Sequence, residues 1–302
     1  MKRELILLLA SVGSLIAAPF GKQISESGIK HSFLMTGNKT AIVGEDCEIV
    51  WEVKGRSRDG EVLANGNVLI AFAKEVKEFT REGKEVFRYR LANGNKEIST
   101  ATRLPNGNTM IAEMGVKPRI LEVNKDGKIV VKVSVKPETG NTHMQIRMAR
   151  KLPNGNYLVP HLLAFAIKEY NPEGEVVRTI KTDLPELGGR PKKNWPFTAI
   201  VMDEGKIMAN LTNGNKTVIF SADGKAEWVF VDSRCADPCG GQVLANGNIV
   251  TCQYGQGKDG MPDAIEINPD KKVVWAFQAD GFRGLHEIHV LTTNGEPAGG
   301  KR

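Results

Sequence analysis

An Asn-Gly pair set between two apolar runs recurs along this chain: VLANGNVLIA from Val62, RLPNGNTMIA from Arg103, KLPNGNYLVP from Lys151 and VLANGNIVTC from Val243. Such a pair is the strongest short hairpin signal, because a type I′ turn takes positive φ at both central residues. The turn asparagines are Asn65, Asn106, Asn154, Asn246 and Asn294, and a degenerate copy, VMDEGKIMAN, puts Glu204-Gly205 in the one long gap between them. The mean period is then about 46 residues, the length of a four-stranded propeller blade. LANGN at Leu91 lies too close to the next copy to hold a blade, and LTNGN at Leu211 belongs to the loop after the degenerate hairpin.

Each hairpin is followed by a second alternating pair, as in KEFTREGKEVFRYR, RILEVNKDGKIVVKV, KEYNPEGEVVRTI, VIFSADGKAEWVF and AIEINPDKKVVWAF. Residues 31–54 supply three strands but lack a first one, and GLHEIHVLTTNGEPAGG near the C-terminus supplies a first strand and stops. Side by side they complete one blade, which removes the open sheet edge that invites aggregation. The expected fold is therefore all-β: a six-bladed β-propeller of four-stranded antiparallel blades over residues 31–302. Five blades start near residues 57, 97, 142, 196 and 238, and the termini share the sixth. Five residues before each turn stand Gly60, Ala101, Ala149, Ala199 and Gly241, small enough for the crowded axis, and then His289.

The first residues, MKRELILLLASVGSLIAAPFGK, carry Lys2 and Arg3 ahead of an apolar run from Leu5 to Ala18. The run is short for a membrane span and has the layout of a secretory signal. Residues 1–18 are read as that signal and residues 19–30 as a short lead, so an exported, monomeric protein without lasting membrane insertion is expected. The 41 basic and 35 acidic residues leave a net charge of +6. No Lys/Arg stripe interleaves with aromatics, so nucleic acid is not an expected partner. Cys47, Cys235, Cys239 and Cys252 form an even set that permits disulfides without fixing a pairing.

Hairpin geometry sorts the loops onto two faces. The tight turns share one face, and the second-to-third and blade-to-blade loops share the other. The long segments VKPETGNTH, TDLPELGGRPKKNWPF, VDSRCADPCGG, QYGQGKDGMPD and QADGFRGLHEIH all belong to the second face, the layout of a scaffold that carries a site on its loops. The register brings Arg58, Ser99, Arg147, Phe197, Cys239 and Glu287 to that face, seven residues before the turns. Phe72, Glu113, His161, Leu211 and Gln253 reach it at the ends of second strands, and His143, Trp195, Asp237, Tyr254 and His286 adjoin them.

The candidate ligand-binding residues are Arg58, Glu113, His143, Arg147, His161, Trp195, Gln253, Tyr254, His286 and His289. Stacking faces beside directional hydrogen-bonding groups suit a polar small molecule, with a glycan as the leading class. A divalent metal on the histidines is a weaker alternative, since no ligand spacing fixes a geometry. His286 and His289 lie an odd number apart and face opposite ways unless a bulge intervenes. Catalysis by a His/Arg/Glu set, as in a transferase, hydrolase or lyase, is a further alternative, and a protein-binding scaffold is another. Trp51, Trp228 and Trp275 stand in outermost strands and read as inter-blade packing. Trp195 alone sits in a long loop.

The repeat, LPNGN followed by an apolar strand and then a GK-x-VW hairpin, resembles that of exported bacterial propellers known as PQQ-like or surface-layer-like repeat proteins. The resemblance spans residues 31–302. It extends distantly to arylsulfotransferase propellers, in which a funnel histidine carries the sulfuryl group with help from arginine. What it implies is architecture rather than activity, and nothing assigns that nucleophile among His143, His161, His286 and His289. Quinoprotein dehydrogenases are larger eight-bladed propellers with an adjacent-cysteine disulfide that this chain lacks. PQQ is therefore not expected, and no cofactor is.

Overall fold

Six antiparallel sheets follow one another along the chain in a computed structural model that describes residues 19–255, 260–279 and 281–302. The segment read as a secretory signal lies outside those residues. Blade 1 runs outward through Ser57–Val62, Val68–Phe72, Glu75–Phe79 and Glu85–Arg90. Blades 2 to 5 repeat that order from the inner strands Asn95–Arg103, Arg150–Lys151, Asn194–Val201 and Pro238–Val243. The closing blade joins the two ends of the chain. Its inner strand Leu285–Thr293 pairs with His31–Gly37, and Thr40–Val43 and Ile49–Val53 complete it outward. The protein is a six-bladed β-propeller.

The hairpin turns correct one expectation. At Gly66, Gly107, Gly155 and Gly247 the glycine alone has positive φ, between 84° and 91°, and its N–H donates to the carbonyl of the leucine three residues back. This is a type I turn closed by a left-handed glycine, not type I′. The reason is loop length, since the Leu63 N–H donates to the Asn67 carbonyl and the other three copies repeat that bond, so each loop has three residues rather than two and takes a type I turn followed by a left-handed residue. Pro105 and Pro153 hold φ near −65°, which suits the first corner of a type I turn. Each asparagine then accepts, through Oδ1, the N–H two residues on, as Asn65 does from Asn67 at 3.0 Å. Only Asn294-Gly295 and the degenerate Glu204-Gly205 have positive φ at both residues.

Packing between blades follows from alternation, each strand turning apolar residues toward both neighbouring sheets. Trp51 meets Phe79 of blade 1 at 6.2 Å, and Trp228 Nε1 donates to the Pro269 carbonyl at 2.9 Å. Small residues near the axis have a steric cause. A Cβ on Gly60 would stand 2.7 Å from Ile70 Cδ1, and one on Gly241 would strike the Val250 carbonyl. The lead residues add Lys22–Ile24 to the outside of blade 5, against Val273–Gln278. Among the described residues no helix is long and apolar enough to cross a membrane.

Candidate functional site

In all six blades the inner strand carries one residue more than its neighbour at the same level. Ser57 faces Phe72 while Asp59 faces Ala71, and Ile98 faces Glu113 while Thr100 faces Ala112. The same slip occurs between Pro196 and Thr198, between Pro238 and Gly241, and between Leu285 and Glu287. In blade 3 it falls within residues 147–149, between the Ile146–His161 bridge and the Arg150–Leu158 pair. Blade 3 shows a short 3-10 turn, Thr142–Met144, and regular pairing only from Arg150, rather than the strand expected from about residue 142. A bulge re-aims a side chain out of the ladder. Here the residues released include Arg58, Phe197 and His286, and all three line cavities on the long-loop face.

One cavity on the long-loop face, about 180 Å³, is walled by Trp195, Phe197, Tyr254, His143, Arg147 and His286, with Asp237, Cys239 and Thr212 among the other lining residues. His286 sits edge-on to Tyr254 at 4.8 Å and tilted against Phe197 at 5.5 Å. Its Nε2 lies 3.4 Å from Arg58 Nη1. A guanidinium can only donate, so Nε2 is the acceptor and the neutral ring carries its proton on Nδ1. Burial first, and then Arg58 and Arg147, hold this imidazole well below its ordinary pKa. Arg58 also donates to Glu97 Oε2 at 2.9 Å, and Glu97 Oε1 meets His143 Nδ1 at 3.0 Å. A polar chain, His286–Arg58–Glu97–His143, thus borders the cavity.

Arg147 is 3% exposed, with its guanidinium 5.7 Å from the Phe197 ring. Burial, followed by the neighbouring charge of Arg58, brings its pKa down to about 10. Trp195 lines the cavity with Lys193 Nζ 5.9 Å from its ring centroid, and among the described residues its indole N–H has no partner.

Of the ten residues singled out from sequence, His143, Arg147, Trp195, Tyr254 and His286 meet around this cavity, and Arg58 abuts it. The other four lie elsewhere. Glu113 is fully taken up by Tyr89, Asn95, the Ala92 N–H and Arg119. His161 is sealed between Glu138, 2.8 Å from Nδ1, and Tyr170, 3.0 Å from Nε2. Gln253 is fully buried, and among the described residues neither of its side-chain amide atoms has a partner. His289 accepts the Val62 N–H at 3.1 Å deeper along the axis.

Sequence reasoning missed Glu97 and Arg56. Each stands two residues before a position it had named, Ser99 and Arg58, so strand alternation was the available signal. All four cysteines are free and buried. Among the described residues no cluster of three or more His, Cys, Asp or Glu is placed to hold a metal ion.

The two buried neighbours His286 and Glu287 should leave opposite marks on stability. His286 is held neutral, so below about pH 6.5 the unfolded chain gains a proton that the fold refuses, and stability falls with falling pH. Burial pushes Glu287 up to about 7 from an ordinary 4.5, so its contribution is full below pH 4.5 and is lost as pH rises through 7. Unfolding midpoints measured from pH 4.5 to 8 should show His286→Gln losing less stability in acid than wild type. Glu287→Gln should lose less between pH 5 and 7. Identical profiles for wild type and both variants would contradict these assignments.

No family model matches the chain, and no curated protein matches it. Solved structures do. A protein of unknown function from Bacteroides caccae is similar at 26% identity with a TM-score of 0.75, over 86% of this chain and 98% of that one. Virginiamycin B lyase from Staphylococcus aureus, in a catalytically inactive histidine-to-alanine form with quinupristin, is similar at 15% identity with a TM-score of 0.59, over 85% and 87%. A luciferin-regenerating enzyme is similar at 11% identity with a TM-score of 0.52, over 88% and 99%. At such identities the last two likenesses concern the propeller fold alone.

Proposed function

We propose that this propeller binds a polar small molecule, a carbohydrate above other classes, in the cavity on its long-loop face. One observation carries the reading: three aromatic rings, Trp195, Phe197 and Tyr254, converge with Arg147, His143 and His286 on one small concavity. Sugars offer C–H faces that rest on aromatic rings and hydroxyl edges that need fixed hydrogen-bonding groups. Export of the protein is part of the same proposal and rests on the N-terminal apolar run.

A thermal-shift screen against neutral and acidic mono- and disaccharides tests it. A sugar at ~100 times its dissociation constant adds about 2.7 kcal/mol of stability. Trp195→Ala is expected to weaken that sugar at least about tenfold while leaving the unfolding of the free protein near wild type. Undiminished binding by Trp195→Ala contradicts the placement.

A second reading is chemistry in the same cavity, favoured by the neutral His286 ring beside two guanidinium groups, where an anion that draws Arg58 away frees Nε2 to abstract a proton next to the stabilised anion. It rests on His286 itself and draws little from the lyase likeness. Conversion of a bound sugar by wild type, lost in His286→Ala with binding retained, would support it.

A further inference from the structure

We infer that the ligand is an acidic sugar with two negatively charged groups, one held by Arg147 and the other by Arg56 and Arg58 on the far side of His286. The inference rests on the carbohydrate reading above and narrows it to a class, such as a diuronic acid or a uronate bearing a sulfate.

The two buried arginines are treated differently by the fold. Arg150 is matched by Asp59 at 3.0 Å. Arg147 is equally buried, yet its donors go to the Ile146 carbonyl at 2.9 Å, the His143 carbonyl and the Met114 sulfur at 3.1 Å. Its Nε has no partner, and among the described residues no carboxylate lies within ion-pair distance of it. Burying a cation without a counter-charge is costly. A guanidinium in a cavity wall recovers that cost when an anion enters.

The second observation is a further cavity, again about 180 Å³, lined by Gly37, Arg56, Ser57, Arg58, Ala73 and His286. His286 lines both cavities, so the two adjoin at this residue. Each alone is small against the roughly 300–1,000 Å³ of ordinary ligand sites, and the two together reach that range. A ligand spanning His286 therefore fits better than one confined to either side.

The charges agree. Among the described residues three guanidiniums, Arg56, Arg58 and Arg147, face two carboxylates. Glu97 is already committed to Arg58 and His143, and Asp237 spends Oδ1 on the Asn213 N–H at 3.0 Å. Lys193 over Trp195, and Lys216 bonded to Asn194 and Gly214, add positive charge nearby.

Calorimetric titration with galactose, galacturonic acid, digalacturonic acid and a chondroitin 4-sulfate disaccharide at low salt separates the possibilities. Affinity should rise by at least about tenfold from galactose to galacturonic acid, and again to a two-acid ligand. Preference for digalacturonic acid marks a two-carboxylate ligand, and preference for the chondroitin disaccharide a carboxylate with a sulfate. Either supports the inference. Arg56→Gln should remove the second step and Arg147→Gln the first. Should Arg147→Gln fail to fold, the exposed Arg56 still carries the test.

Two-acid ligands no tighter than galacturonic acid would overturn the inference and leave the carbohydrate reading standing. The same holds if galactose binds as tightly as the acids. If no sugar of any charge binds, both are overturned.

Discussion

Deleting residues 285–302 is expected to leave a chain with no cooperative unfolding transition. Leu285–Thr293 is the inner strand of the closing blade and pairs along the whole of His31–Gly37. Its loss strips Leu285, Ile288 and Val290 from the core and exposes the edge of a strand that is otherwise buried. The gap would open between Pro238–Val243 on one side and Ser57–Val62 on the other, so the ring loses its closure and not merely one hairpin. Unpaired edges of that kind also template association.

A shorter deletion of residues 292–302 spares most of the strand. It costs the paired bonds between Lys301 and Val243 and the Arg302 contacts at the axis, and a cooperative but lowered transition is expected. Differential scanning calorimetry distinguishes the two. A sharp, undisplaced transition after the longer deletion contradicts closure through the shared blade.

Asp59→Ala is expected to cost about 3–5 kcal/mol, the range for removing one member of a buried ion pair. Asp59 is fully buried and accepts from the Gly60 N–H at 2.9 Å, the Ala101 N–H at 3.3 Å, the Thr100 hydroxyl and Arg150 Nη1 at 3.0 Å. Without it the Arg150 charge stays buried, with the Glu287 carboxylate at 3.7 Å as its closest remaining ion-pair contact. The double variant Asp59→Ala, Arg150→Met should recover part of the loss, because the unpaired charge is then gone. Chemical denaturation of the two single variants and the double variant measures the coupling. A single-variant cost below about 1 kcal/mol, typical of an exposed pair, would mean that water reaches this part of the axis.

The architecture was legible because it is written in local, repeated signals. Asn-Gly after an apolar residue marks each inner hairpin, and the incomplete ends beside His31 and Gly284 complement each other. Gly60 and Gly241 report the crowding at the axis. The turn type was misread because each of these strand pairs closes around three residues, as Leu63 does on Asn67, and such a loop takes a type I turn followed by a left-handed glycine whether Pro or Ala stands before the asparagine.

The site was legible only in part, for a related reason. Its level on the inner strands could be counted from the turns, which gave Arg58 and Arg147. The bulge at that level has no common residue, being Arg58 in one blade, Phe197 in another and His286 in the closing blade. The count of seven that reaches Arg58 and Phe197 falls on Glu287 instead of His286 in the closing blade, because a second slip between Val290 and Thr292 adds one residue before the site level. Glu113 and His161 occupy the right level as well, but their polar atoms are claimed by Tyr89, Arg119, Glu138 and Tyr170, contacts between strands and loops that no spacing records.

The most direct test of a sugar-binding cavity on the long-loop face is the intrinsic fluorescence of the protein titrated with digalacturonic acid. Trp51, Trp228 and Trp275 lie in outer strands, and Trp195 is the tryptophan in the cavity wall. The account predicts a saturable emission change that disappears in Trp195→Phe and persists in Trp228→Phe. An emission change of full size in Trp195→Phe, or no change at concentrations where calorimetry shows saturation, would contradict it.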